Sequence, residues 1–189
     1  KPITTSLQGL IPGVQVGIAR MKKGGKATFI IPSALAYGSN PPSGIPANAI
    51  VLFDVELVDF GTQAEFDDTV IQKYLLDNSL TAEKHSSGLY YIISQPGTGE
   101  NPSSSSIVTV KYKGYFTDKK VFDETKADAT AQFPLTNLIE GWKIAIPLLK
   151  KGGKGTFLIP SRLGYGPNGS SGGVPGNSVI IFDIELVSF

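Results

Sequence analysis

The chain has 189 residues, a formal charge of +1, one histidine and no cysteine. These counts exclude disulfides, thiol chemistry, Cys-based metal sites and any site built on several histidines, and the near-zero charge argues against nucleic acid or an anionic membrane as the main partner. No apolar run reaches the roughly 18 residues of a membrane span, while 22 glycines and 13 prolines point to a turn-rich, strand-rich fold.

In chain order, the first patterned segments are GLIPGVQVGI (9–18), KKGGKATFIIPSALAYG (22–38) and IPANAIVLFDVELVDF (45–60). Lys22–Lys26 lacks P-loop spacing and a following helix, so it reads as a lysine-tipped turn rather than a phosphate cradle. Thr62-Gln-Ala-Glu65 is a capping-box pattern opening a helix, and Phe66, Val70, Ile71, Tyr74 and Leu75 then fall on one apolar stripe. Glu65, Asp67, Asp68 and Asp77 against Lys73 leave 62–79 at −3. That charge reads as the solvated face of a linker helix lying against one or both flanking domains. His85, in a polar Glu-Lys-His-Ser-Ser run, reads as an exposed surface histidine.

Strand-like runs follow at Leu89–Ile93 and Ile107–Tyr112, with no counterpart earlier in the chain. Gln95–Pro102 and Ser103–Ser106 are turn material between them. Only Ile139–Leu149 looks helical, and Pro147 keeps it short or kinked. Residues 150–166 (KKGGKGTFLIPSRLGYG) then repeat 22–38 with thirteen of seventeen positions identical. Residues 174–189 repeat 45–60, and NLIEGWKIAI (137–146) faces 9–18. Thr156–Pro160 and Val179–Val187 alternate as half-buried strands do, with Phe182, Ile184 and Leu186 on one face and Asp183 and Glu185 on the other. The expectation is an α+β chain: a complete domain over 80–189, a linker helix over 62–79, and over 1–61 only the C-terminal half of the same unit, so that the numbering begins inside a domain.

Three candidate sites have a simpler explanation. Asp183/Glu185 and Asp54/Glu56 could suggest the paired carboxylates of glycoside hydrolysis, but the solvent face of a sheet accounts for them. Tyr165–Gly173 has no GxGxxG and reads as a flexible loop able to close over a ligand. The aromatics Tyr112, Phe122, Phe133, Trp142, Tyr165 and Phe182 are spread over separate elements, which usually means core. Phe122-Asp123 breaks that reading, because an acid directly follows a buried-looking aromatic where there is no helix to cap.

At these residues the sequence resembles the FKBP family of peptidyl-prolyl cis-trans isomerases. The matching stretches are Val110–Gly114, Val121–Thr125, Leu138–Trp142, Lys151–Lys154, Ile159–Gly166, Val174–Ser178 and Phe182–Leu186, in family order and over nearly all of 88–189. The resemblance implies a curved antiparallel β-sheet wrapped around a short α-helix, with an aromatic pocket between them. Trp142 would form the pocket floor, Tyr112, Phe122 and Phe182 its walls, and Phe133, Leu138, Ile139 and Val174 would complete the substrate contacts. Tyr165 would donate to a ligand carbonyl, Ile139 would offer a backbone N–H, and Asp123 would supply the polar contact near the twisting amide. No cofactor or metal is implied. Partners would be proline-containing polypeptides, with macrolides as possible ligands.

Two positions depart from the family pattern. Ala131 stands where a larger residue often helps wall the pocket, and the flap position falls near Ser170 in a Ser/Gly-rich stretch. In the first copy, Tyr37, Ile45 and Phe53 match Tyr165, Val174 and Phe182, but Val14 replaces Trp142 and nothing corresponds to Tyr112, Phe122 and Asp123. This remnant pocket is expected to be completed by a cleaved N-terminal fragment or a neighbouring chain, since alone it exposes half a core and open strand edges. The tandem layout resembles FKBP-type proteins of the bacterial cell envelope, implying the periplasm or envelope, with the cytoplasm as the alternative. The competing functions are a folding isomerase, a non-catalytic chaperone module that captures proline segments, and more remotely a dimerisation scaffold.

Overall fold

A computed structural model describes residues 2–189. The chain divides into Lys1–Gly61 and Thr62–Phe189. In the first unit, α1 (Pro12–Ile18) opens on a proline, whose missing N–H costs nothing at a helix start. It is followed by β1 (Lys26–Ile31) and β2 (Val51–Glu56), an antiparallel pair with Phe29 opposite Phe53 and Lys26 opposite Glu56. The lysine-tipped turn precedes β1: Gly24 takes φ 77°, and its N–H donates to the Leu57 carbonyl at 2.6 Å. Among the described residues of this unit, only Val14 and Ile31 are buried apolar ones.

The second unit begins with α2 (Gln63–Asp77), where Thr62 and Glu65 form both halves of the capping box. Its strands are β3 (Glu83–Lys84), β4 (Tyr90–Gln95), β5 (Ile107–Phe116), β6 (Val121–Glu124), β7 (Ala131–Pro134), β8 (Lys154–Ile159) and β9 (Ile180–Ser188), with α3 (Glu140–Ala145) between β7 and β8. They form one seven-stranded antiparallel sheet in the order β3-β4-β8-β9-β5-β6, with β7 also on β5. This is the α+β architecture expected. Trp142, Ala145 and Ile146 pack with Val108, Val110, Phe157, Phe182, Ile184 and Leu186, so α3 covers one face of the sheet. The helical stretch is shorter than 139–149: α3 stops at Ala145 and a 3-10 turn over Ile146–Leu148 accommodates Pro147, which cannot donate to an α-helical ladder.

The opposite face is not open to solvent throughout. Ile71, Tyr74 and Leu75 of α2 lie on Tyr90, Leu158, Val179 and Ile181. The buried stripe differs from the apolar one read from sequence: Val70 is exposed, and its place is taken by Asp67, which is 2% exposed. Positions 67, 71, 74 and 75 share a helical face, and a satisfied carboxylate occupies one of them. The acidic charge of α2 is therefore not simply a solvated face. His85 also differs from expectation, being half-buried with its Nδ1 accepting from the Ser87 backbone N–H at 3.1 Å.

Candidate functional site

β5 sets the site by alternation. Tyr112, Gly114 and Phe116 fall on one face of it, and β5 pairs with β9 on one side and with β6 and β7 on the other. These pairings bring Phe182, Phe122 and Phe133 to the same face. Gly114 lies opposite Phe182 in the β5–β9 register, and a Cβ there would meet the Phe182 ring at 2.6 Å and the Phe122 ring at 2.8 Å. The ring contact thus requires glycine at 114.

Trp142, delivered by α3 and 4% exposed, stands edge-on to three rings. Its centroid distances are 5.1 Å to Phe182, 5.2 Å to Tyr112 and 6.2 Å to Phe133, with interplanar angles of 88°, 81° and 88°. Phe122 meets Phe182 at 5.5 Å and 89°. T-shaped pairs of this kind set a ring edge against a π face and fix ring orientation. Gly141 lets α3 approach: a Cβ there would meet Ile159 at 2.6 Å.

Asp123 follows Phe122 on β6 and is exposed. The Tyr112 hydroxyl donates to its Oδ2 at 2.8 Å. Burial, then the Asp123 carboxylate, push the Tyr112 phenol up to about 12. The Tyr165 phenol is raised too, first by burial and then by the charge of Asp123, so both phenols stay neutral near one acid, with Tyr112 donating to it.

Tyr165, Leu138, Ile139 and Phe133 are half-buried against this cluster, and Val174 is buried within it. Ile139 precedes α3, at a helix end whose N–H groups have no intrahelical acceptor. Ala131 is half-buried opposite Val110. The Ser170 stretch forms a turn of its own: Ser170 N–H donates to the Val174 carbonyl at 2.9 Å, and Asn177 N–H to the Gly166 carbonyl at 2.8 Å. In the first unit Tyr37, Ile45 and Phe53 are only half-buried, with no aromatic at Val14.

Phe116 was not singled out from sequence. It meets Phe122 at 5.0 Å, and its spacing of four from Tyr112 along one strand was the available signal. Two surface concavities lie elsewhere, about 570 Å³ over Lys26–Thr28 and Asp54–Glu56, and about 470 Å³ beside α2, Lys84 and Arg162. Their lysines are already paired, Lys26 with Glu56 at 3.1 Å and Lys84 with Asp68 at 2.5 Å. Among the described residues no cluster of three or more acidic, His or Cys side chains could hold a metal, and no helix is long and apolar enough to cross a membrane.

Residues 1–58 and 98–187 match the model of the FKBP-type peptidyl-prolyl cis-trans isomerases. Over 102 residues, 53% of this chain, the sequence is 43% identical to a probable FKBP-type peptidyl-prolyl cis-trans isomerase, FkpA, of Neisseria meningitidis, covering 38% of that protein. It is 41% identical over 103 residues, 54% of this chain, to the outer membrane protein MIP of Legionella longbeachae, covering 44% of it. The crystal structure of FkpA from Escherichia coli superposes with a TM-score of 0.59 at 34% identity, covering 66% of this chain and 60% of that one. The chain spans about two fifths of the length of these curated relatives.

Proposed function

The chain belongs to the family of FKBP-type peptidyl-prolyl cis-trans isomerases, and we propose that its second unit turns X–Pro bonds of polypeptides between cis and trans, assisting their folding. The observation that carries this reading is the convergence of Tyr112, Phe122, Phe133, Phe182 and Trp142 on one face, with Asp123 at its rim held by the Tyr112 hydroxyl. An X–Pro amide resists rotation by roughly 18–20 kcal/mol because resonance is lost in the twisted state. A ring-walled, poorly hydrated surface favours that less polar state over the planar one, which is differential binding of the transition state.

In this scheme Trp142 underlies the proline ring, with Tyr112, Phe122, Phe133 and Phe182 around it and Leu138, Ile139 and Val174 completing the contact. Tyr165 donates to the substrate carbonyl and the Ile139 N–H offers a second donor. Asp123 faces the twisting amide, and Tyr112 orients it. The test is the cis-to-trans rate of an Ala-X-Pro-Phe-type peptide with the unaltered chain and Asp123→Ala. The expected loss is about tenfold or more, the size of one polar contact made only in the transition state.

The alternative is a chaperone module that binds proline segments without turnover. It is favoured by Ala131, which leaves one side of the ring cluster with a small residue. No acceleration, with Trp142 fluorescence still responding to the peptide, selects that reading. Macrolides are candidate ligands of the same rings. An envelope location follows by analogy with the relative named an outer membrane protein, and fractionation of the source cells tests it.

The exposed apolar face of the first unit we take to be covered by another polypeptide, a neighbouring chain. Ile30, Ile50 and Leu52 are 71%, 64% and 66% exposed, and β1 and β2 pair only with each other. Native mass measurement of these 189 residues should find an associated chain; a monodisperse monomer at the 20.0 kDa of the 189 residues would overturn this.

A further inference from the structure

We propose that Asp67 is a positioning residue for the ring cluster: through it, α2 fixes the segment that carries Tyr165. The proposal rests on the isomerase reading for its kinetic consequence but stands on contacts of its own. Asp67 Oδ2 accepts from the Ser161 N–H at 2.8 Å and from the Ser161 hydroxyl at 2.7 Å, while Oδ1 accepts from Gln63 Nε2 at 2.8 Å. Asp67 is 2% and Ser161 0% exposed, so this is a buried carboxylate with both oxygens engaged. An apolar side chain at 67 would serve helix packing at lower desolvation cost. The acid is therefore explained by what it holds rather than by burial.

What it holds is the first residue of the 3-10 turn Ser161–Leu163, four positions before Tyr165. Gly164 N–H closes that turn on the Ser161 carbonyl at 3.0 Å, and the Leu163 carbonyl lies 3.1 Å from where a Cβ on Gly141 would stand, beside Trp142. One end of the segment is thus held by α2 and the other lies close against α3. Arg162 braces it laterally by donating to the Ser87 carbonyl. The first repeat separates making the turn from anchoring it. Ser33–Leu35 forms the same 3-10 turn with, among the described residues, no side-chain hydrogen bond to Ser33 of the kind Asp67 gives Ser161, and Leu35 is 44% exposed where Leu163 is 8%.

The test is a double-mutant cycle in the full chain. Asp67→Asn, which keeps the volume and removes one acceptor, is expected to lower kcat/KM for the proline peptide about fivefold, and less than twofold when Tyr165→Phe is already present. Equal losses in both backgrounds would mean general destabilisation and overturn the proposal. Ser161→Ala should reproduce the pattern from the other partner, and serves if Asp67→Asn does not fold. Ring resonances of Tyr165 should move in Asp67→Asn while those of Tyr112 hold. Unmoved Tyr165 signals would overturn the positioning role even if the unaltered chain showed no acceleration, a result that would sink only the isomerase reading.

Discussion

The hairpin β1–β2 and the hairpin β8–β9 are nearly the same object in different surroundings. Phe29 faces Phe53 as Phe157 faces Phe182, and the cross-strand ion pair Lys26–Glu56 recurs as Lys154–Glu185. Gly24 and Gly152 take φ 77° and 78°, and Asn48 and Asn177 take 58° and 57°. Local sequence therefore dictates the backbone of each copy. Burial is dictated elsewhere: Ile30 is 71% exposed while its counterpart Leu158 is 0%, and Leu52 is 66% exposed while Ile181 is 0%. The difference is α2 and the added strands, which the second unit has and the first lacks. Only the second copy also carries Trp142 and a partner strand bearing Tyr112.

Four experiments would break or sharpen that comparison. Trp142→Val gives the second copy the residue of the first. It should cost about 3 kcal/mol, because the lost ring leaves a cavity under Tyr112, Phe133 and Phe182, as read by urea denaturation followed by circular dichroism. A loss under about 1 kcal/mol would mean the rings are not packed as described. Leu158→Ala and Ile30→Ala form a matched pair for native-state hydrogen exchange. In the chain with no partner bound, the first should weaken β8–β9 by about 2–5 kcal/mol and the second should change β1–β2 by less than about 0.5 kcal/mol. A large effect at Ile30 would show that its face is covered in solution.

These contrasts also mark how far the sequence could be read. The repeat was plain from seventeen aligned positions, and the shortened helix followed from Pro147. The aromatics were legible as a group because the resemblance placed them, whereas periodicity alone left them as core. Two features were hidden for physical reasons. Asp67 breaks the apolar stripe of α2 by type but not by position, and Oδ2 is satisfied by a partner 94 residues away, Ser161, which no local pattern shows. Gly114 falls within the matching stretch Val110–Gly114, but its role stayed hidden, since that role is the side chain it lacks between Phe182 and Phe122.

The two smaller effects concern charge. The folded Tyr112 phenol is held at about 12, above the ordinary value of 10.0. A phenol whose pKa is raised on folding contributes stability that is fully present below its unfolded value and is lost as pH rises through the folded one. The stability difference between the chain and Tyr112→Phe should therefore shrink between about pH 10 and pH 12, checked by denaturation across that range. A difference that stayed constant there would remove the Tyr112–Asp123 bond from the folded state. Last, Glu185→Gln and Glu56→Gln should each cost under about 1 kcal/mol and by similar amounts, since both pairs are largely solvated. Unequal costs in equilibrium unfolding would show that the two hairpins differ in more than what covers them.

The most direct test of the central claim sets the two copies against each other in one assay. Tyr165→Phe and Tyr37→Phe remove the same hydroxyl from the same motif in the second and first unit. In cis-to-trans isomerisation of an Ala-X-Pro-Phe-type peptide, Tyr165→Phe should lower kcat/KM by roughly tenfold, one lost hydrogen bond, and Tyr37→Phe should leave it unchanged. Equal losses, or a loss only in Tyr37→Phe, would contradict the assignment of the working site to the second unit.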